Sequence, residues 1–184
     1  MIRIIFASIW VAMMAPTAFA GTENSYSAEQ LISDAAQEIV SADRDDLAEA
    51  ILERMDVRAI ARFTLGRYAK SVETEKADQY AVAFEDYLRR QIETNAHRLQ
   101  GISMTVTKTV HRNDRDAIVT TLIETGDDRL TLRWRMLRRG ENWQVVDLEF
   151  SGIWLAIEQR AQITAILDRP GADLDDVIAQ FAQG

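Results

Sequence analysis

The chain has 184 residues, 47% of them hydrophobic, with 21 Lys and Arg against 29 Asp and Glu (net charge −8) and no cysteine. That acidic balance argues against a nucleic-acid binder, whose phosphate contacts demand a basic surface, and against permanent residence on an anionic membrane. Without cysteine there is no disulfide framework and no thiol nucleophile, so the fold must rest on an apolar core, for which this length suffices.

Arg3 precedes the apolar run Ile4–Ala15, and Ala18-Phe19-Ala20 follows as a small-x-small site. Together they read as a cleavable export signal. The run is shorter than the roughly 20 apolar residues of a spanning helix, and a lipoprotein would need a cysteine at the cleavage point. An uncleaved anchor is the alternative. The expected organisation is residues 1–20 as signal peptide, 21–26 as a polar lead and 27–184 as one domain without a permanent membrane anchor. Removing the signal takes away one Arg and no acid, so the mature chain is more acidic still.

Ser27 to Gln30 form a capping-box pattern. Leu31, Ile32, Ala35, Ala36, Ile39 and Val40 then recur at helical spacing through about Ala42. Asp43–Met55 continues as a second helical piece with Leu47, Ala50, Ile51 and Leu52 on one side. Asp56 is positioned to cap a third, in which Val57, Ile60, Ala61, Leu65 and Tyr68 keep the period. Gly66 within it is costly in a helix and points to a close packing contact. Thr74–Leu99 is the longest helical segment, with Tyr80, Phe84, Tyr87, Leu88, Ile92 and Ala96 as its apolar stripe and charges opposite.

From Gly101 the period changes to two. Ile102, Met104, Val106 and Val110 alternate with Ser103, Thr105, Thr107 and Thr109. Strands over Arg115–Thr125, Arg129–Arg139 and Asn142–Phe150 follow, separated by polar turns that include Gly126-Asp127-Asp128. Leu130, Leu132, Trp134 and Met136 share one face. After Ser151-Gly152 the helical period returns over Trp154–Leu167, Arg169-Pro170-Gly171 breaks it, and Asp173 caps a last short helix. Helices, a meandering antiparallel sheet of about four strands, and helices again define an α+β fold with one dry sheet face.

Catalytic chemistry is sparse. The chain has no Gly-x-Ser-x-Gly elbow, no phosphate-cradling glycine loop and no spaced histidine set, so no catalytic residue and no metal site are expected. His97 and His111 read as exposed, and Asp127-Asp128 as a turn. A small enzyme using Tyr68 or Tyr87 with Asp147 as an acid–base pair is the competing class.

Trp134, Arg135 and Met136 end a strand, Gly140 turns, and Trp143, Gln144, Val145, Val146 and Asp147 form the next. Gly152, Leu155, Arg160 and Ile163 follow at set spacing. This order resembles the MlaC family of periplasmic phospholipid carriers, auxiliary to ABC lipid transport. Phe63 to Arg67, and Phe84 with Leu88, resemble the family upstream. Glu158-Gln159 stands where the family usually has Asn-Tyr, and Ile163 where it has Phe.

The resemblance implies that the helical half and the curved sheet enclose a cavity for phospholipid acyl chains, with the headgroup outside. The residues expected to line it are Phe63, Leu65, Tyr68, Phe84, Tyr87, Leu88, Met104 and Val106. From the sheet and its C-terminal corner come Leu132, Trp134, Met136, Val146, Leu148, Phe150, Ile153 and Leu155. Gly152 and Arg160 are expected at a lipid-access or docking region, and the Ser151-Gly152 corner with the following helix as a movable wall. The plain alternative is that these side chains only fill a core. No cofactor is expected beyond the lipid cargo, and the chain is expected to be a monomer. Its implied partners are phospholipid, an inner-membrane ABC transporter with an MCE-type subunit and an outer-membrane lipoprotein complex. A hopanoid or other polycyclic lipid is the alternative cargo.

The signal reading predicts a mature N-terminus at Gly21 in the periplasmic fraction. Intact-mass analysis of the soluble envelope protein checks this, and retention of Met1 would refute it.

Overall fold

The computed structural model describes residues 27–43, 46–99, 101–126 and 128–183; the expected signal, the lead and Asp127 lie outside the described residues. Helices α1 (Ala28–Ser41), α2 (Leu47–Leu52), α3 (Val57–Thr64) and α4 (Thr74–Asn95) come first. Five strands follow: β1 (Ser103–Asn113), β2 (Asp116–Thr125), β3 (Asp128–Arg139), β4 (Asn142–Phe150) and β5 (Ile153–Trp154). They form one curved, open antiparallel sheet in chain order. Helices α5 (Leu155–Leu167) and α6 (Leu174–Phe181) complete the α+β arrangement.

The helix starts are set by side chains that take up orphan backbone donors. Ser27 Oγ accepts from the Gln30 N–H, and Gln30 Oε1 accepts from the Ser27 N–H, both at 3.0 Å. Asp56 accepts from the Ala59 N–H at 3.1 Å to start α3. Asp173 and Asp176 form the same reciprocal box at α6.

Several boundaries depart from the periodicity. Helix α3 stops at Thr64, because Gly66 takes φ +56° and a 3-10 turn over Gly66–Lys70 carries Tyr68 off the helix. The long helix ends at Asn95 and tightens into a 3-10 turn at Ala96–Leu99. The pairing of β1 with β2 skips Thr107, a bulge that reverses facing beyond it. Val110 therefore pairs with Ile118 on the outer face and is exposed, not on the Met104 and Val106 face. The corner after β4 is a hairpin. Ser151 and Gly152 both have positive φ (51° and 85°), and Phe150 pairs with Ile153. Positive φ at both central residues is the two-residue turn that matches strand twist. It adds a fifth strand where the alternation had suggested four and delays the helix to Leu155.

The apolar interior is two clusters. Helices α2 to α6 enclose Leu65, Tyr80, Phe84, Ile163, Val177 and Phe181. The inner sheet face forms the other, with Val119, Trp134, Met136 and Val145 packed against Ile32, Ala35 and Ile39 of α1. Met55 and Ile92 touch both clusters. The polar ends of the large buried rings are satisfied. The Trp134 indole donates to Thr121 Oγ1 at 2.9 Å. Tyr80 donates to Thr64 Oγ1 at 2.7 Å, whose own hydroxyl donates to the Ala61 carbonyl.

Strand β4 joins the two halves. The Val145 N–H donates to the Arg54 carbonyl at 2.8 Å, and the Asp56 N–H donates to the Val145 carbonyl at 2.9 Å. Two residues on, the buried Asp147 carboxylate accepts from the Ala156 and Leu148 N–H groups, each at 2.8 Å. It thereby caps α5 from a different element, because Trp154 at the cap position offers no acceptor. Burial pushes the Asp147 pKa above its ordinary value, against the opposing pull of these two donors and of Arg135.

A raised carboxyl pKa favours the protonated form in the fold, so this group's contribution is full below the unfolded-state value and is lost as pH rises through the folded one. Asp147→Asn keeps a carbonyl acceptor and removes the charge. Its stability relative to the wild type is expected to improve as pH rises from about 4. Asp147→Ala, which also lacks the charge, is expected to follow the same pH trend but to lie about 1 kcal/mol below Asp147→Asn at every pH, for want of the acceptor. Urea denaturation of the three proteins between pH 3.5 and 8 checks both signs.

Candidate functional site

The inner sheet face is covered at one end and open at the other. Towards Trp143, Val145 and Met136 it is roofed by α1. Towards the Gly126 turn, the pairs Ile123–Leu130, Thr121–Leu132 and Leu132–Phe150 carry the same face outward. Leu132, Leu148, Met104 and Val106 are half-buried there. The apolar surface continues past them through Phe150 and Ile153 to Leu155 at the start of α5.

Leu130, Phe150, Ile153, Leu155, Ile157 and Phe63 are between 39% and 54% exposed. They are six of the nine large apolar side chains exposed among the described residues, and Phe150, Ile153 and Leu155 lie at one hairpin corner. Single exposed apolar residues are ordinary, whereas a contiguous group marks a binding surface. Apart from Val146 and Tyr68, the residues expected to line a lipid cavity fall into three settings. Leu65 and Phe84 are buried in the helical cluster, with Tyr87 and Leu88 against it. Trp134 and Met136 are buried under α1, with Met104, Val106, Leu132 and Leu148 beside them. Phe63, Phe150, Ile153 and Leu155 are exposed. Val146 is the residue skipped between the Arg135–Asp147 and Met136–Val145 pairs, a bulge in β4.

Arg160 lies over the Phe63 ring, its guanidinium carbon 5.3 Å from the centroid. A cation in this position is attracted by the ring quadrupole. The approach depends on Gly66. A Cβ there would lie 2.9 Å from both Arg160 Nε and Thr164 Cγ2, which is the close contact the glycine signalled in sequence. Ile157, one turn before Arg160, was absent from the expected set although it is among the most exposed apolar residues. The apolar positions of α5 do not form one stripe, so periodicity alone gave no reason to single it out.

The groups of the competing acid–base reading have separate partners. Tyr68 donates to Asp168, and the Leu167 carbonyl lies 3.1 Å from the same hydroxyl. The hydrogen bond from Tyr68, aided by Arg67, holds the Asp168 carboxyl below its usual range. Tyr87 stacks on Phe181 with centroids 5.0 Å apart, and Asp147 is occupied at α5. No contact among the described residues joins either tyrosine to Asp147. His97 and His111 are exposed, the latter with its ring edge towards Trp143 at 5.9 Å. Among the described residues no group of three or more His, Cys, Asp or Glu side chains could hold a metal ion, and no helix is long and apolar enough to cross a membrane.

An open antiparallel sheet, helix-roofed at one end and apolar and exposed at the other, places the chain in a definite class of helix-backed α+β proteins. The family model for the MlaC protein matches residues 27–183, and the chain belongs to that family. Its structure is similar to that of the phospholipid-binding protein from Ralstonia solanacearum in complex with a phospholipid. The two share 18% identity and a TM-score of 0.72, over 84% of this chain and 98% of that one, which establishes a common fold. No curated protein matches the chain.

Gly66→Ala is expected to lower stability by about 1–3 kcal/mol, since it combines a positive-φ penalty with a clash against Thr164. Chemical denaturation measures this. A variant as stable as the wild type would show that α3 and α5 do not need this approach.

Proposed function

We propose that the chain is a periplasmic phospholipid-binding carrier that shuttles lipid between an outer-membrane complex and an inner-membrane ABC transporter with an MCE-type subunit. The observation that carries this reading is the apolar surface from Leu132 through Phe150 and Ile153 to Leu155, left open beside a packed core. Membership of the MlaC family and the likeness to a phospholipid-bound fold support it.

The physical chemistry is consistent. Each methylene removed from water contributes about 0.8 kcal/mol, so two ordinary acyl chains amount to about 20 kcal/mol gross. A phosphate costs several kcal/mol to desolvate unpaired. A carrier in water therefore covers tails and leaves the headgroup wet. Tails that start on the open rim reach the interior most readily along the seam between the two clusters, where Met55 and Ile92 face both. A methionine adapts to such a gap at little cost. Release by dissociation into water is too slow for the same energetic reason, so the carrier hands its cargo over while docked.

Because Trp134 and Met136 are buried, a charge at either would unfold the sheet as readily as it would expel a ligand. The exposed rim gives the discriminating variants. Protein purified natively from the envelope fraction is expected to carry phospholipid in near-stoichiometric amount by native mass spectrometry. Phe150→Asp and Ile153→Glu are expected to keep the melting temperature within a few degrees and to lose at least about tenfold in lipid retention. A wild-type protein free of lipid would refute the carrier reading, and a polycyclic lipid mass would reassign its cargo.

A further inference from the structure

Half of the chain's ten glutamines converge on one cleft. Gln91 on α4, Gln159 and Gln162 on α5, and Gln180 and Gln183 at the C-terminal end line a space of about 330 Å³. Tyr87 stands at its wall, and Ile163, Ile166 and Phe181 form its apolar part. No lining residue is charged, although 27% of the chain is. Two charges beside it are engaged with its own residues: Glu158 accepts from Gln162 at 3.1 Å, and Arg90 donates to the Phe181 carbonyl at 2.7 Å.

The cleft exists because α4 and α5 do not pack closely on one another; α6 is wedged between them. Its anchor is Phe181, whose ring lies 5.0 Å from Tyr87 and 5.7 Å from both Phe84 and Tyr80. The result is an apolar floor beneath a rim of primary amides. An amide offers both donors and an acceptor without charge, so such a rim suits oxygens of uncharged groups and gives a phosphate no counter-charge. The volume limits the occupant too. At about 30 Å³ for a water-sized group, the space holds on the order of ten non-hydrogen atoms, far fewer than two acyl tails.

We infer that this cleft binds the uncharged glycerol-ester segment of an acylglycerol, with the ester and hydroxyl oxygens on the amides and the first methylenes on Ile163, Ile166 and Phe181. The inference rests on the lipid-carrier reading and adds to it a place where the neutral neck of the lipid is recognised, apart from tails and phosphate.

The test uses the full mature protein, labelled with ¹⁵N, and three water-soluble probes below their micellar concentrations. These are glycerol monohexanoate, dihexanoylphosphatidylcholine and hexyl phosphate. The side-chain amide signals of Gln159, Gln162 and Gln180 are expected to shift with the first two probes and not with hexyl phosphate. Gln159→Leu, which keeps a helix-compatible side chain, is expected to weaken glycerol monohexanoate binding about three- to tenfold, the loss of one hydrogen bond. Tighter binding by Gln159→Leu would show that the cleft holds only hydrocarbon and would overturn the inference. So would amide signals that stay still with glycerol monohexanoate while the natively purified protein carries phospholipid, which leaves the carrier reading intact. Signals that move with glycerol monohexanoate in a protein that carries no phospholipid would uphold the cleft and remove the carrier.

Discussion

The backbone of β4 is the constraint on which the rest depends. It is hydrogen-bonded to β3 on one edge and, on the other, to the Arg54–Asp56 link at Val145 and to β5 at Phe150. One step inward, Asp147 fixes the start of α5. Sheet cluster and helical cluster are therefore joined along this strand, and helices α2 and α4 each give side chains to both. A single merged core would have been closed on all sides. Two cores joined at an edge leave the far end of the inner sheet face uncovered.

That arrangement explains why apolar side chains stay exposed at the hairpin corner. A domain of this size has enough apolar residues to cover itself, and Trp134, Met136 and Phe84 are fully enclosed. Phe150, Ile153 and Leu155 could be covered only by an element crossing the open end of the sheet, and none of the described residues does so. Ser151 and Gly152 turn the chain back within two residues, which directs α5 along the β4 side and not over the inner face. The same turn that ends the sheet thus exposes the rim. Arg160, over Phe63 and against Gly66, fixes α5 to α3 with a cation–ring contact that uses no acidic partner.

Much of the fold was legible in the sequence because its signals are local. Ser27, Asp56 and Asp173 cap the helices where their side chains suggested. The Leu130, Leu132, Trp134 and Met136 face follows from strand alternation. Where the reading failed, longer-range geometry decided. The bulge at Thr107 turns Val110 outward, and alternation cannot register an extra residue that only the partner strand defines. Asp147 looked available for chemistry, yet it serves a helix nine residues downstream whose own cap position is a tryptophan. The open rim was partly legible, since Phe150, Ile153 and Leu155 are apolar. Exposure is a property of what fails to pack on them, and a single sequence does not show that.

The glutamine cleft belongs to neither pattern, because its residues are far apart in the chain and individually unremarkable. Gln159 on α5 lines the cleft together with Gln91 on α4 and Gln180 on α6. A tyrosine at that position would bring a bulky ring with one hydroxyl, whereas glutamine brings two donors and an acceptor in a smaller space. A glutamine makes sense there only together with the other amides, since an isolated polar side chain above Ile163 and Ile166 would lose water contacts without gaining a partner. The glutamines of three helices therefore act as one feature of this chain, and what the amides select is an uncharged oxygen donor or acceptor, not a phosphate.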